Sequence, residues 1–146
     1  MYETVKNLHS YWAYLVLLIL IIAVVNALIK VFGDKEYDAK DFRIALFTLI
    51  VSHIQLLIGL VLYFVSPRFE LWGEMGGEVM KNAVARLYLV EHPLVNIIAI
   101  ALITIGYSKH KKKLTSKAKL KPIAIFYTLA LVLFLSRIPW STWLNL

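Results

Sequence analysis

Four long apolar stretches dominate the chain, at about 11–31, 42–64, 83–107 and 122–143, and short polar segments separate them. Each is near the ~20 residues that an α-helix needs to cross ~30 Å of hydrocarbon. In lipid a backbone must satisfy its own hydrogen bonds, and helices do so within one segment. Long helices with short connections predict an all-α integral membrane protein, an antiparallel four-helix bundle in a single domain over 1–146. Gly33 is placed to end the first helix, and Pro122 falls in the opening turn of the fourth. The pair Gly76–Gly77 predicts a bend before the third. Pro93, inside the third, deletes a backbone donor, frees the carbonyl of Leu89 and predicts a kink there.

Polar residues inside these stretches are few and unevenly placed. The third, "RLYLVEHPLVNIIAIALITIGY", carries Arg86, Glu91, His92 and Asn96. An ionisable side chain at bilayer depth costs at least ~2.5–3.5 kcal/mol on insertion scales, so it needs a partner or a task. At 1.5 Å per residue, His53 lies ~17 Å below the outer end of the second span and His92 ~13 Å below that of the third. Gln55, Arg86, Glu91 and Arg137 belong to the same outer half, whereas the inner half offers only Asn26, Thr48 and Thr104. On the third helix Tyr88, His92 and Asn96 form a stripe extended by Ala85 and Ala99. On the second, Ala45, Thr48, Ser52, Gln55 and Gly59 form a seam of mostly small residues suited to close helix packing. His53 points ~100° away from Ser52, off the middle of that seam.

Composition sharpens this picture in three ways. The chain is 60% hydrophobic, above the ~45–50% of soluble domains. It has no cysteine, which excludes disulfides, cysteine-ligated zinc or iron–sulfur clusters, and thioether-attached haem. The net charge of +7 comes from one place: "KHKKKLTSKAKLK", residues 109–121, holds seven lysines and no acid. No aromatic residue interleaves it, so the run reads as an anchor to anionic lipid and not as a nucleic-acid surface. His110, inside it, is read as solvated. Eleven lysines and arginines flank the spans on the side of 30–43 and 109–121, against five on the other. That asymmetry predicts a multi-pass protein of a bacterial inner membrane with both termini periplasmic and the lysine loop cytoplasmic. Tyr11, Trp12, Tyr14, Tyr63, Phe64, Trp140 and Trp143 fit an interfacial belt on the outer side. The first stretch is too long for a signal-peptide core and lacks a small-residue cleavage site, so it is expected to stay as a span.

Imidazole ligates haem iron, copper and zinc. His53 and His92, at matching depth on facing helices, are therefore expected to hold one b-type haem. Arg86, Arg137, Tyr88 and Lys6 would stand near its propionates, with Gln55 and Asn96 around it. Two imidazole ligands leave no open coordination position, which favours single-electron transfer over catalysis on a separate substrate. His9 opens alternatives: should the first helix begin near Tyr2, His9 enters the same layer. His9, His53, His92 and Glu91 would then suit a haem-free zinc, copper or iron centre. A quinone site is a further form of the haem-free reading. In another reading the polar residues only satisfy one another, His92 with Asn96, Glu91 with Arg137 or Arg86, and His53 with Gln55, inside an accessory subunit of a larger respiratory or transport complex. Ser10 beside His9 lacks an orienting acid, so no hydrolytic site is expected.

The segments "LHSYW", "SHIQLLIGLVLYF", "RLYLVEHPLVNIIAIALITIGYSKHKKK" and the terminal "SRIPW" resemble a group of small four-span bacterial membrane proteins, frequent in Bacteroidetes. Some members of that group are described as cytochrome-b-like. The resemblance spans nearly the whole chain and marks His9, His53 and His92 as the positions of interest. The chain departs from two-haem membrane b cytochromes, which need four ligand histidines in two layers, so at most one haem is expected.

Overall fold

The computed structural model describes residues 1–143. Four long helices, α1 (Tyr2–Phe32), α2 (Ala39–Val65), α3 (Ala83–Lys111) and α4 (Ser116–Ser136), form the expected all-α bundle. All four are long and apolar enough to cross a membrane. Around the bundle α1 packs on α2 and α4, and α3 packs on the same two, so α1 faces α3 diagonally and α2 faces α4. The core is built from Leu20, Ile103 and Tyr127 seated among Ala23, Ala27, Ala45, Ala99 and Ala130. The opposite faces are apolar too: Leu18, Ile21, Ile22, Val25 and Ile29 of α1 are exposed. A helix that is hydrophobic all round fits a solvent of acyl chains.

Three helix ends differ most from the hydropathy boundaries. α1 starts at Tyr2, not near residue 11, because its polar first turns continue as helix, with Lys6 paired to Glu3 at 3.0 Å. α4 starts at Ser116, where the Thr115 side chain accepts from the Ala118 N–H. Pro122 is therefore inside the helix and not in its opening turn. α4 also stops at Ser136, earlier than expected. Pro139 disfavours the helical region for Ile138, and a short turn, Trp140–Trp143, follows. Gly33 does end α1, but the left-handed residue is the next one, Asp34, at φ 52°. Gly76 makes the bend before α3 at φ 54°.

The Leu89 carbonyl that Pro93 was expected to free finds another donor. Leu87–Glu91 widen into a π-helical turn before the α-helix resumes at His92. The freed Leu89 carbonyl accepts a 2.9 Å bond from the Tyr63 hydroxyl, which in turn accepts from Trp72 Nε1 at 2.9 Å. The proline thus costs no unsatisfied carbonyl, and the loop 66–82 is fastened to α2 and α3 through Tyr63.

The end carrying the lysine run is more structured than the sequence suggests. Asp38 caps α2 by accepting from the backbone N–H groups of Lys40 and Asp41, and these bonds hold its carboxyl below the ordinary range, Asp41 first. Asp41 returns a 2.8 Å bond to the Asp38 N–H, and its buried carboxylate also takes Asn26 and Lys30 at 2.6 Å each. His110 is not solvated. It is fully buried, donating from Nδ1 to the Tyr107 carbonyl at 2.6 Å. Its Nε2 therefore accepts from the Tyr37 hydroxyl at 3.0 Å. The reason is periodicity: α3 continues to Lys111, so His110 extends the inward row of Ala99, Ile103 and Gly106. The Tyr37 N–H bonds Ser116 Oγ at 2.9 Å, tying both connections at this end together.

Asp41→Ala removes the nearest carboxylate of a mostly shielded Lys30 ammonium (15% exposed side chain), leaving it Asp38 at 3.5 Å and the Glu36 carbonyl at 3.1 Å, and removes half of the α2 cap. A loss of about 3 kcal/mol is expected, read as a lower midpoint in denaturant unfolding of the purified protein in detergent micelles.

Candidate functional site

The bundle centre near the end carrying Tyr2 and Trp143 holds a polar cluster contributed by α1, α2 and α3. Because α1 begins at Tyr2, His9 enters the bundle. Its ring meets that of His92 across the α1–α3 diagonal, with centroids 6.1 Å apart and planes at 80°. Gly59 of α2 makes room for it: a Cβ there would stand 3.2 Å from His9 Cε1. Gln55, one turn away, donates to the His9 carbonyl at 2.8 Å. The predicted α2 seam faces inward as expected, with Ala45, Thr48 and Ser52 buried.

His92 is fixed from two sides. α4 ends at Ser136, so the Arg137 carbonyl is free to accept from His92 Nδ1 at 2.8 Å. A carbonyl only accepts, so the proton is on Nδ1 and Nε2 carries the lone pair. The Asn96 amide nitrogen is near both ring nitrogens, 3.0 and 3.2 Å, which puts it over the ring face and not along the Nε2 lone pair. Among the described residues, four buried polar atoms of this region have no hydrogen-bond partner: His9 Nδ1, Ser52 Oγ, Gln55 Oε1 and Asn96 Oδ1. Buried polar atoms are rarely left so, and several in one place mark a site for a bound group or ordered water.

Charged residues close the cluster toward the bundle end. Glu91 binds Arg86 at 2.8 Å and Arg137 at 3.6 Å, so both of the expected pairings form at once. Tyr88 does not join the histidines; its hydroxyl bonds Thr142, and Arg68 stacks on its ring at 3.7 Å.

His53 is the correction. It is exposed on the outer surface of α2, donating from Nδ1 to the Leu49 carbonyl at 2.8 Å, with Nε2 3.4 Å from Thr104 Oγ1. His92 lies twelve residues earlier on α3 than Thr104, about 18 Å along the axis. His53 and His92 therefore cannot share one metal ion. Counting residues from the expected outer ends put the two histidines at one level, but His92 meets His9 beside Gly59, six residues beyond His53 on α2, or about 9 Å along that helix. The lean of each side chain toward the N-terminus of its own helix adds to that offset on antiparallel neighbours. Gln55, two residues from His53 and so on another face of α2, partners His9, and among the described residues the expected His53–Gln55 bond does not form. A centre of His9, His53, His92 and Glu91 is not assembled either. Among the described residues no three His, Cys, Asp or Glu side chains are grouped to hold a metal ion.

His53 instead lines a groove of about 390 Å³ along α2 and α3, with Leu49, Ile50, Ile54, Leu57 and Thr104. The Thr104 hydroxyl is committed to the Ile100 carbonyl at 2.8 Å, so the His53 Nε2 lone pair faces the groove without a donor. The signal for the residue that meets His92 was present in the sequence as His9, two residues before the "YWAY" belt, and depended only on where α1 starts.

Gly59→Leu is expected to displace the His9 ring and lower stability by about 1–3 kcal/mol, as overpacking does. Gly73→Ala, where an added Cβ meets nothing within 4 Å, is the neutral control in the same thermal unfolding measurement.

Compared with models of known protein families, with curated proteins and with solved structures, the chain matches none.

Proposed function

We propose that this chain is a multi-pass protein of a bacterial inner membrane that holds one b-type haem near its periplasmic side for single-electron transfer, with His9 and His92 as the residues that would hold it. One observation carries this reading: two imidazoles from diagonally opposed helices meet in the bundle centre at a centroid separation of 6.1 Å. Two imidazoles bound opposite each other on one metal ion, at about 2.0–2.1 Å each, have centroids roughly 6 Å apart. The donor set agrees with a haem site. His92 has its Nδ1 proton committed to a backbone carbonyl, the outer-shell bond that orients a ligating imidazole. His9 has a buried Nδ1 without a partner. Arg86 and Arg137 supply cations for carboxylates at the same end. A haem held between two imidazoles supplies one-electron exchange and has no open position for substrate. The chain's own residues hold, orient and shield that group.

The test is the reduced-minus-oxidised spectrum of protein purified from haem-supplied cells. Wild type and His53→Ala are expected to show a b-type band, and His9→Ala and His92→Ala to lose it. A colourless wild type sinks the reading, as does a band that depends on His53 and not on His9.

A second reading draws on the His53 groove. Its apolar walls and its single lone-pair acceptor suit an isoprenoid quinol, whose hydroxyl would donate to Nε2 while its tail follows Ile50, Ile54 and Leu57. A short-chain naphthoquinol is expected to raise the Tm of wild type but not of His53→Ala. Equal shifts in both proteins count against a quinol at this groove.

A further inference from the structure

The lysine run does not act as one uniform charge cloud. Five of its seven lysines divide into two sets by what they face. Lys111 and Lys119 are held by the protein itself, with Nζ 5.6 Å from the Tyr107 ring centroid and 5.3 Å from that of Tyr37. Lys119 also reaches the His110 carbonyl at 3.5 Å. Lys109, Lys113 and Lys121 instead converge on a groove of about 300 Å³ between α3 and α4. All three are exposed, and residues 109–143 contain no acid that could pair with them. Lys109 and Lys113 are four residues apart on α3 and the turn that follows it, and Lys121 faces them from α4.

The floor of that groove is apolar: Pro122, Ile125 and Phe126. Ile125 is 47% exposed, one turn below Lys121 on the face of α4 that runs on into the bilayer-facing surface. Gly106 shapes the wall by letting Phe126 come close, since a Cβ at 106 would stand 2.6 Å from Phe126 Cβ. Three ammonium groups without an acidic partner among the described residues, above an apolar floor, match an amphiphile with an anionic head, whereas a free phosphate would leave Ile125 and Phe126 without a counterpart. We propose that this groove is a specific binding site for an anionic glycerophospholipid, its phosphate held by Lys109, Lys113 and Lys121 and an acyl chain laid against Ile125 and Phe126. Lysines near a membrane surface add attraction roughly one at a time, so the three together give a preference of more than tenfold over a zwitterionic lipid.

The experiment titrates the full chain in mild detergent with phosphatidylglycerol and, separately, phosphatidylcholine, counting bound lipid by native mass spectrometry. Wild type is expected to retain one phosphatidylglycerol with at least about tenfold preference. K109Q/K113Q/K121Q is expected to lose that preference, and the charge-matched K40Q/K112Q/K117Q to keep it. K113Q alone, in the exposed turn, should show a partial loss, which covers the case of a triple variant that does not fold. Equal loss in the two triple variants would mean diffuse attraction and overturn the site. Equal retention of the two lipids by wild type would overturn it as well, and so would displacement of bound lipid by millimolar inorganic phosphate.

Discussion

Donors in this bundle find their acceptors on neighbouring backbones. Trp12 Nε1 donates to the Val51 carbonyl at 2.9 Å, Tyr127 to Ala45 at 2.9 Å, Tyr63 to Leu89 at 2.9 Å and Gln55 to His9 at 2.8 Å. His92 donates to Arg137 at 2.8 Å, and Trp143 to Ser10 at 3.3 Å. A helical carbonyl keeps a second lone pair after its own intrahelical bond, so a bundle surrounded by apolar residues has acceptors in excess and donors in short supply. Each long side chain that brings an N–H or O–H inward can therefore lock one helix to another. Each such bond contributes only about 0.6 kcal/mol on average in membrane bundles, but together they set register and rotation in a core that apolar packing alone would leave slippery.

The same constraint isolates the site. Where donors reach carbonyls hydrogen-bonding capacity is used up; Ser52 Oγ, Gln55 Oε1, Asn96 Oδ1 and His9 Nδ1 are left over without a partner among the described residues. These leftovers belong to the same half of the bundle as the two facing imidazoles. The opposite end is handled differently. There Asp41, Asn26, Lys30, Tyr37 and His110 are consumed by one another and by backbone, which makes that end a structural clasp. Polar residues thus do two distinct jobs at the two ends, and their residue types alone would not separate them.

The two ends also differ in how they meet their surroundings. At the lysine end the clasp holds Lys111 and Lys119 against aromatic rings and leaves Lys109, Lys113 and Lys121 turned to a groove. At the other end Glu91 sits between Arg86 and Arg137, and Glu70, Glu74 and Glu78 are exposed. The lysine run is thus basic without an acid whereas the other end is of mixed sign, which is the asymmetry a bilayer with one anionic face would select.

Hydropathy alone determined the helix count, the antiparallel order and the inward seam of α2, because a span length and a 3.6-residue period are local properties of the chain. Pro93 likewise announced the free Leu89 carbonyl, since a missing N–H four residues on is a covalent fact. What only the tertiary structure decided is which imidazoles meet. Counting from the expected span ends puts His53 and His92 at one depth, but the packed helices set His92 level with Gly59, six residues beyond His53 on α2, and the lean of side chains on antiparallel neighbours adds to that offset. His9 joined the cluster only because α1 runs back to Tyr2, past the point where hydropathy fades. His110 was hidden among lysines whose charge suggested solvent, while its place on the inward row of α3 put it in the core. Ring position, helix ends and rotation are set by packing among four helices, and no window along one of them contains that information.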